Sequence, residues 1–392
     1  MNIIDMTFFS VGLILLIPVL FLFIEFLASL CPSKPNYPTD HLIRPSAVIL
    51  IPAHNEAKVI SESLDALLTQ LMPQDKIVVI ADNCSDQTAE IVKEKGLTVI
   101  ERQNSQQRGK GYAVDYGLKF LESNPPEVVV ILDADSLMEA NTLDYLVKLA
   151  YAKQKPIQST YLMKTDLNPS MKDRISAFAI MVKNLVRPYG LTQFNMPCLL
   201  NGSGMAFPWS IIRQVPVANN HTVDDMQLSV DLAIAGYAPY YCPQGQVMGR
   251  LMQQDQGKSQ RTRWEHGHLS QILIQVPHLL QASVKQQRLD LLILALELAV
   301  PPLSVLVIFW LSFTSFSLIA AIVGFSWFPF LMFLIQGLLI LVSIIGSWFK
   351  FGQSIIPGMM LLAIPQYLIW KLPIYLNFLQ KPEINWNKTE RD

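Results

Sequence analysis

Val128-Val129-Val130-Ile131-Leu132-Asp133-Ala134-Asp135 decides the fold. Five consecutive aliphatic residues read as a buried strand, and two carboxylates one residue apart then end it. The same unit recurs toward the N-terminus. Ala47 to Ile51 runs into Pro52-Ala53-His54-Asn55-Glu56, and Lys76 to Ala81 runs into Asp82-Asn83-Cys84-Ser85-Asp86. Leu97 to Glu101 supplies a further strand. Between the first two strands Ile60, Leu64, Leu67, Leu68 and Leu71 recur at helical spacing, while Asp86 to Glu94, closed by Gly96, and Lys110 to Glu122 read as the next two helices. Strands alternating with amphipathic helices predict an α/β fold with a doubly wound, mostly parallel sheet. Ligands of such sheets bind outside the carboxyl ends of the strands, so the three polar clusters converge on one crevice. Pro52, Glu56, Asp82 and Asp133 are its candidate ligand contacts. No glycine-rich dinucleotide fingerprint or P-loop follows a strand. Arg108-Gly109-Lys110-Gly111 comes nearest, several residues after the third strand, and adds Lys110 to the candidates.

A chain of 392 residues with a formal net charge of −1 has room for one catalytic domain plus membrane helices, and its charge indicates no nucleic-acid partner. Cys31, Cys84, Cys198 and Cys242 form no CxxC pair, which argues against a zinc site or a disulfide framework and fits a reducing cytosolic setting. Hydropathy is concentrated at the ends. Phe8 to Leu30 carries one ionisable residue, Glu25, and exceeds the ~20 apolar residues that cross a bilayer. A cleaved signal peptide is the rival, but no basic segment precedes the run and Ala28-Ser29-Leu30-Cys31-Pro32 is a poor cleavage site. Lys34 and Arg44 follow it, so the positive-inside rule places the N-terminus outside and the middle domain in the cytosol. Leu291 to Val323, Phe328 to Phe349 and Ile355 to Trp370 are three further apolar blocks. Lys371, Lys381, Lys388 and Arg391 favour a cytosolic C-terminus, which needs an even number of crossings, so the count stays open. The expected organisation is a membrane helix over 1–31, a cytosolic catalytic domain over 45–250, an interfacial amphipathic segment over 251–289, a membrane region over 290–380 and a cytosolic tail over 381–392.

Paired carboxylates on a tight turn, Asp133 and Asp135, suit Mg2+ or Mn2+, leaving other coordination positions for phosphate oxygens and water. A lone pair of this kind is more often a turn or a helix cap, but its place at a strand end favours the metal. Asp82 stands where its carboxylate can accept a hydrogen bond from a nucleobase edge. Asp224 and Asp225 open a helical pattern with Thr222 as the expected N-cap; acids there often serve only the cap and dipole, yet one could take a proton from an acceptor hydroxyl. Gln260, Arg263 and Trp264, three and four apart, share one helix face, where Arg can grip phosphate and indole can stack on a sugar. An amphipathic helix with a Trp membrane anchor is the plainer reading, and the two are compatible. His266 and His268 read as structural rather than as a metal pair. Asn201-Gly202-Ser203-Gly204 reads as a small-residue loop that lets substrate approach the backbone.

Taken in order, Asp82, Asp133-Ala134-Asp135, Asp224-Asp225 and Gln260-Arg261-Thr262-Arg263-Trp264 resemble the motifs of the family 2 glycosyltransferases, the inverting membrane group that includes cellulose, chitin, hyaluronan and poly-N-acetylglucosamine synthases. The resemblance covers about residues 45–290. Arg108-Gly109-Lys110-Gly111-Tyr112-Ala113 is similar to a segment of exopolysaccharide members, and Trp386-Asn387-Lys388-Thr389-Glu390-Arg391 to a tail in that subgroup. It implies a GT-A-like fold and a UDP-sugar donor. Asp82 would meet uracil or ribose, Asp133 the diphosphate and Asp135 the metal; Asp225 would be the general base, with Gln260, Arg263 and Trp264 beside acceptor and pyrophosphate. Asp224 replaces the glutamate usual before the base. The implied partners are a nucleotide-sugar donor, a lipid-linked or growing glycan acceptor, membrane lipids, and export or synthase proteins. Polymer synthesis and single addition to a lipid both fit, and a nucleotide-binding transporter or scaffold is the reading from another class.

Overall fold

The computed structural model describes residues 3–32, 42–164, 169–219, 223–251 and 254–381. Thr222, Lys34 and the tail from residue 382 onward, including Lys388, Arg391 and the Trp386 to Arg391 segment, lie outside them.

A long helix, α1 (Ile3–Ser29), precedes the sheet. Then come β1 (Ala47–Ala53), α2 (Ile60–Leu68), β2 (Lys76–Asp82), α3 (Thr88–Glu94), β3 (Thr98–Arg102), α4 (Lys110–Leu121) and β4 (Val128–Ile131), close to the bounds expected from sequence. β3-β2-β1-β4 are all parallel. Alternation along β1 shows why. Ile49 and Ile51 join Ile60, Leu64 and Leu67 on one face, while Val48 and Leu50 join Val114 and Leu118 on the other. A strand buried on both faces belongs in a sheet covered by helices on both sides, with each fully buried aliphatic side chain contributing ~1.5–3 kcal/mol.

The second half of the sheet is mixed. β5 (Leu137–Met138), α5 (Thr142–Lys153), β6 (Ile157–Lys164), α6 (Met171–Met181) and α7 (Arg187–Gln193) are followed by β7 (Met205–Pro208), α8 (Trp209–Ile212), α9 (Asp224–Ile234) and β8 (Tyr240–Arg250). The complete order is β3-β2-β1-β4-β7-β6-β8-β5, with β7 antiparallel to both β4 and β6. This half-barrel keeps the carboxyl ends of β1, β2 and β4 together.

α10 (Gln254–Gln286), α11 (Leu289–Ala299), α12 (Leu303–Ile322), α13 (Phe328–Ser347) and α14 (Ile364–Gln380) complete the chain. One expectation is corrected here. Leu291 to Val323 is not a single block, because Pro301-Pro302 separates α11 from α12. Eleven residues of helix span only ~16 Å. α11 instead buries Leu291, Leu294 and Leu298 against Met226, Val230 and Leu279. Four helices are long and apolar enough to cross a membrane: Ile3–Ser29, Leu303–Ile322, Phe328–Gly352 and Gly358–Gln380.

Glu25, the lone charge of the expected span, faces the protein. Its Oε2 accepts from Arg187 Nε at 2.7 Å, and Arg187 Nη2 also donates to the Glu297 carbonyl at 2.6 Å. Gly190 lets α7 approach so closely that a Cβ there would stand 2.0 Å from the Glu25 carbonyl oxygen. The N-terminal helix is thus fastened to the catalytic domain by a buried ion pair and a backbone crossing. Removing one charge alone would leave the other buried without its partner.

Candidate active site

The β1 and β2 ends are locked together. His54 Nδ1 lies 2.7 Å from the Asp82 carbonyl, and the Glu56 amide donates to Thr88 Oγ1 at 2.9 Å. Asn55 and Asn83 take left-handed backbone conformations at φ 57° and 53°, turning the chain sharply out of each strand. Asp82 is buried, and its Oδ1 accepts from Arg102 Nη1 at 2.6 Å. Sequence reasoning missed Arg102, whose guanidinium also lies over the Tyr112 ring at 5.8 Å.

At the end of β4 the Asp133 amide donates to Ser203 Oγ at 3.0 Å, while the Asp133 carboxylate receives the Lys110 ammonium. Lys110 also donates to the Gly202 carbonyl, so it ties the β4 turn to the 201–204 loop. Gly202 adopts φ +87°, and a Cβ there would lie 3.5 Å from Asp225 Oδ2. The small-residue loop is therefore the contact that brings Asp133 and Asp225 into one site.

Asp224 and Asp225 are the first residues of α9, but the N-cap is Val223 and caps through no side chain. Asp225 Oδ1 accepts from the Met226 amide at 2.9 Å. Burial pushes the Asp224 carboxyl up to about 7 against the opposing pull of Lys110, with Asp225 and Asp133 adding to the rise. Asp225 is likewise raised by burial, opposed by Lys183 and Lys110.

Two adjoining cavities organise these residues. A cleft of about 230 Å3 is lined by Pro52, Glu56, Asp82, Lys110, Asp133, Asp135, Gln260, Arg263 and Trp264. Every expected donor, metal and Q-x-x-R-W residue is in it. A second cavity, of about 260 Å3, holds Asp224 and Asp225 and extends to Leu303 and Ser304 at the start of α12 and to Tyr367 and Lys371 of α14. Lys110, Asp133, Tyr161 and Trp264 line both. Trp264 thus forms a wall shared by the two compartments. Tyr161, Lys183, Glu265 and Lys371 had no signal in the sequence that set them apart.

His266 and His268 are buried and lie 2.8 and 3.3 Å from the carbonyls of Ile374 and Leu298, on two different helices. Each ring engages a backbone carbonyl, with His268 also lining the second cavity, and the described cysteines are free thiols. No group of three or more His, Cys, Asp or Glu able to hold a metal occurs among the described residues. The donor set at Asp133 and Asp135 is nonetheless right for a hard cation whose remaining ligands come from diphosphate and water. The two carboxylates fit that role because both face the same cleft.

The family model described as "Glycosyltransferase like family 2" matches residues 45–267, more than half of the chain. The protein belongs to this family. It is 38% identical over 111 residues to the probable glycosyltransferase YdaM of Bacillus subtilis, covering 26% of each chain. It is 28% identical over 103 residues to the poly-beta-1,6-N-acetyl-D-glucosamine synthase of Staphylococcus epidermidis, covering 25% of this chain and 24% of that one. The match thus spans about a quarter of these curated relatives. The solved mannosyltransferase PcManGT of Pyrobaculum calidifontis, in complex with GDP-Man and Mn2+, shares the fold at a TM-score of 0.57 and 18% identity, over 96% of this chain and 98% of that one.

Proposed function

We propose that this glycosyltransferase moves a sugar, with inversion, from a nucleotide-diphosphate donor to a membrane-associated acceptor hydroxyl. The observation that carries the reading is the pair of cavities meeting at Lys110, Asp133 and Trp264, with the expected donor residues on one side and the Asp224-Asp225 pair on the other. Pro52, Glu56 and Asp82 would hold the nucleoside, UDP by the motifs, and Lys110, Arg263 and Gln260 the diphosphate. Asp135 with Asp133 would hold Mg2+ or Mn2+, which when bound offsets the negative charge growing on the departing diphosphate. Asp225 would accept the acceptor proton while that oxygen bonds to the anomeric carbon and the carbon–diphosphate bond breaks on the opposite face. Asp224, beside it, sets the local field, and Trp264 offers a ring on which the sugar can stack.

Extension of the second cavity to α12 and α14 supports delivery of a lipid-linked or growing glycan acceptor from the membrane. The catalytic domain would be cytosolic. α14 would lie along the membrane face without crossing it, since Lys371 and Tyr375 both bind Glu265 of α10 and Tyr367 meets Ser176. Two crossings by α12 and α13 then return the chain to the cytosol.

The test is incubation of the detergent-solubilised protein with labelled UDP-, GDP- and dTDP-sugars, Mg2+ or Mn2+, and a membrane lipid extract. Metal-dependent transfer of label is the expected result. Label in the organic phase marks single addition, and label in a large glycosidase-sensitive product marks a polymer. Absence of transfer from every donor would leave only the nucleotide-binding transporter or scaffold.

A further inference from the structure

We propose that Lys183 is a positioning residue for the transfer step, its ammonium carried to the acceptor cavity by a π-turn and serving there as the counter-charge of the Asp225 carboxylate. The inference rests on the reading of Asp225 as the base.

α6 does not pass directly into α7. The helix widens into a π-turn over Val182–Val186, a rare geometry that inserts an extra residue into the turn and is frequent at functional sites; a second lies at Trp348–Gly352, away from the cavity. Here it brings the consecutive residues Lys183 and Asn184 both onto the cavity wall, while Arg187, one turn on, reaches Glu25 in α1.

The cavity has five lysines and arginines in its lining, and four are committed. Lys110 pairs with Asp133, Arg187 with Glu25, Arg261 with Asp173 and Lys371 with Glu265. Lys183 alone makes no ion pair or hydrogen bond among the described residues. An ammonium is costly to hold in such a place unless a charge opposes it. The groups that face Asp225 are Lys110 from α4, Asp133 from the end of β4, its neighbour Asp224 and Lys183; beyond Lys183 stand Glu265 and His268 from α10, Arg187 from α7 and Glu297 from α11. Burial pushes Asp225 toward its neutral form, and Lys183 is the cation that opposes this most, ahead of Lys110. Burial pushes Lys183 the same way, and Asp225 is the carboxylate that opposes it most, ahead of Glu297 and Glu265. The two groups are each other's principal counter-charge without direct contact. A bound acceptor that displaces water strengthens this attraction, because the dielectric between them falls.

The experiment compares Lys183→Met and Lys183→Arg with the wild type, measuring the pH dependence of transfer, acceptor KM and donor binding on the full-length protein. In Lys183→Met the acidic limb should move up by about one pH unit, so that the rate on that limb drops about tenfold at a given pH and recovers at higher pH. Donor affinity should stay unchanged, and Lys183→Arg should restore the limb. A limb that stays in place in Lys183→Met overturns the proposal; if acceptor KM then rises equally at every pH, Lys183 binds the acceptor instead. Should the Met variant fail to fold, Lys183→Gln is measured in its place. A wild type without transfer at any pH would remove the Asp225 reading itself, a result separate from an unmoved limb.

Discussion

Asp225→Asn is expected to remove sugar transfer, by on the order of 10³-fold in kcat, and to leave donor binding intact. The substitution keeps the shape of the side chain and the acceptor atom for the Met226 amide, which Asp225 Oδ1 now engages at 2.9 Å. It deletes only the proton-accepting charge. Asp225 does not line the cleft that gathers Asp82, Asp133 and Asp135, so nucleotide affinity should be unaffected. Titration of donor by calorimetry beside a transfer assay separates the two effects, and substantial transfer by the variant would refute the assignment. The wild-type pH profile follows the same chemistry. A base must be ionised to work, and burial raises both Asp225 and its neighbour Asp224, the latter to about 7. Activity should therefore be lost, as pH falls, above the range in which an exposed carboxylate titrates, because the raised Asp225 takes up its proton earlier.

Asp135→Ala is expected to remove the response to divalent metal and turnover together. Neutralising the charge on a leaving diphosphate is worth several kcal/mol, so the loss should be on the order of 10³-fold. The residue is partly exposed on the turn after β4, beyond the packed strand, and its removal leaves the core intact. Thermal unfolding should match the wild type. A folded variant whose rate still rises with added Mn2+ would remove Asp135 from the metal site.

The parallel half of the sheet was legible because local signals sufficed. Each of β1, β2 and β4 is an aliphatic run ended by polar residues, and the site acids sit at those ends. β7 gave no such signal: four residues, Met205–Pro208, become a strand only through antiparallel pairing with β4 and β6, contacts distant in sequence. β8 carries Pro243 and Gly245, and its pairing with β6 shifts register between Ser159 and Thr160, which blurs the alternation a strand normally shows. α11 was read as membrane because its composition is that of a span; its burial against α9 and α10 is a tertiary fact. Arg102 and Lys183 were invisible for a related reason. Arg102 meets Asp82 only because β2 and β3 lie side by side, and nothing in Val182–Val186 announces a π-turn.

On the proposed mechanism, transfer is a single displacement at the anomeric carbon with Asp225 as the sole proton acceptor. The most direct test is the anomeric configuration of the linkage made by the wild-type protein from an α-linked nucleotide-sugar donor, read by NMR of the isolated product. A β-linkage is the result predicted. An α-linkage would mean two displacements or front-face attack, and would contradict the role given to Asp225.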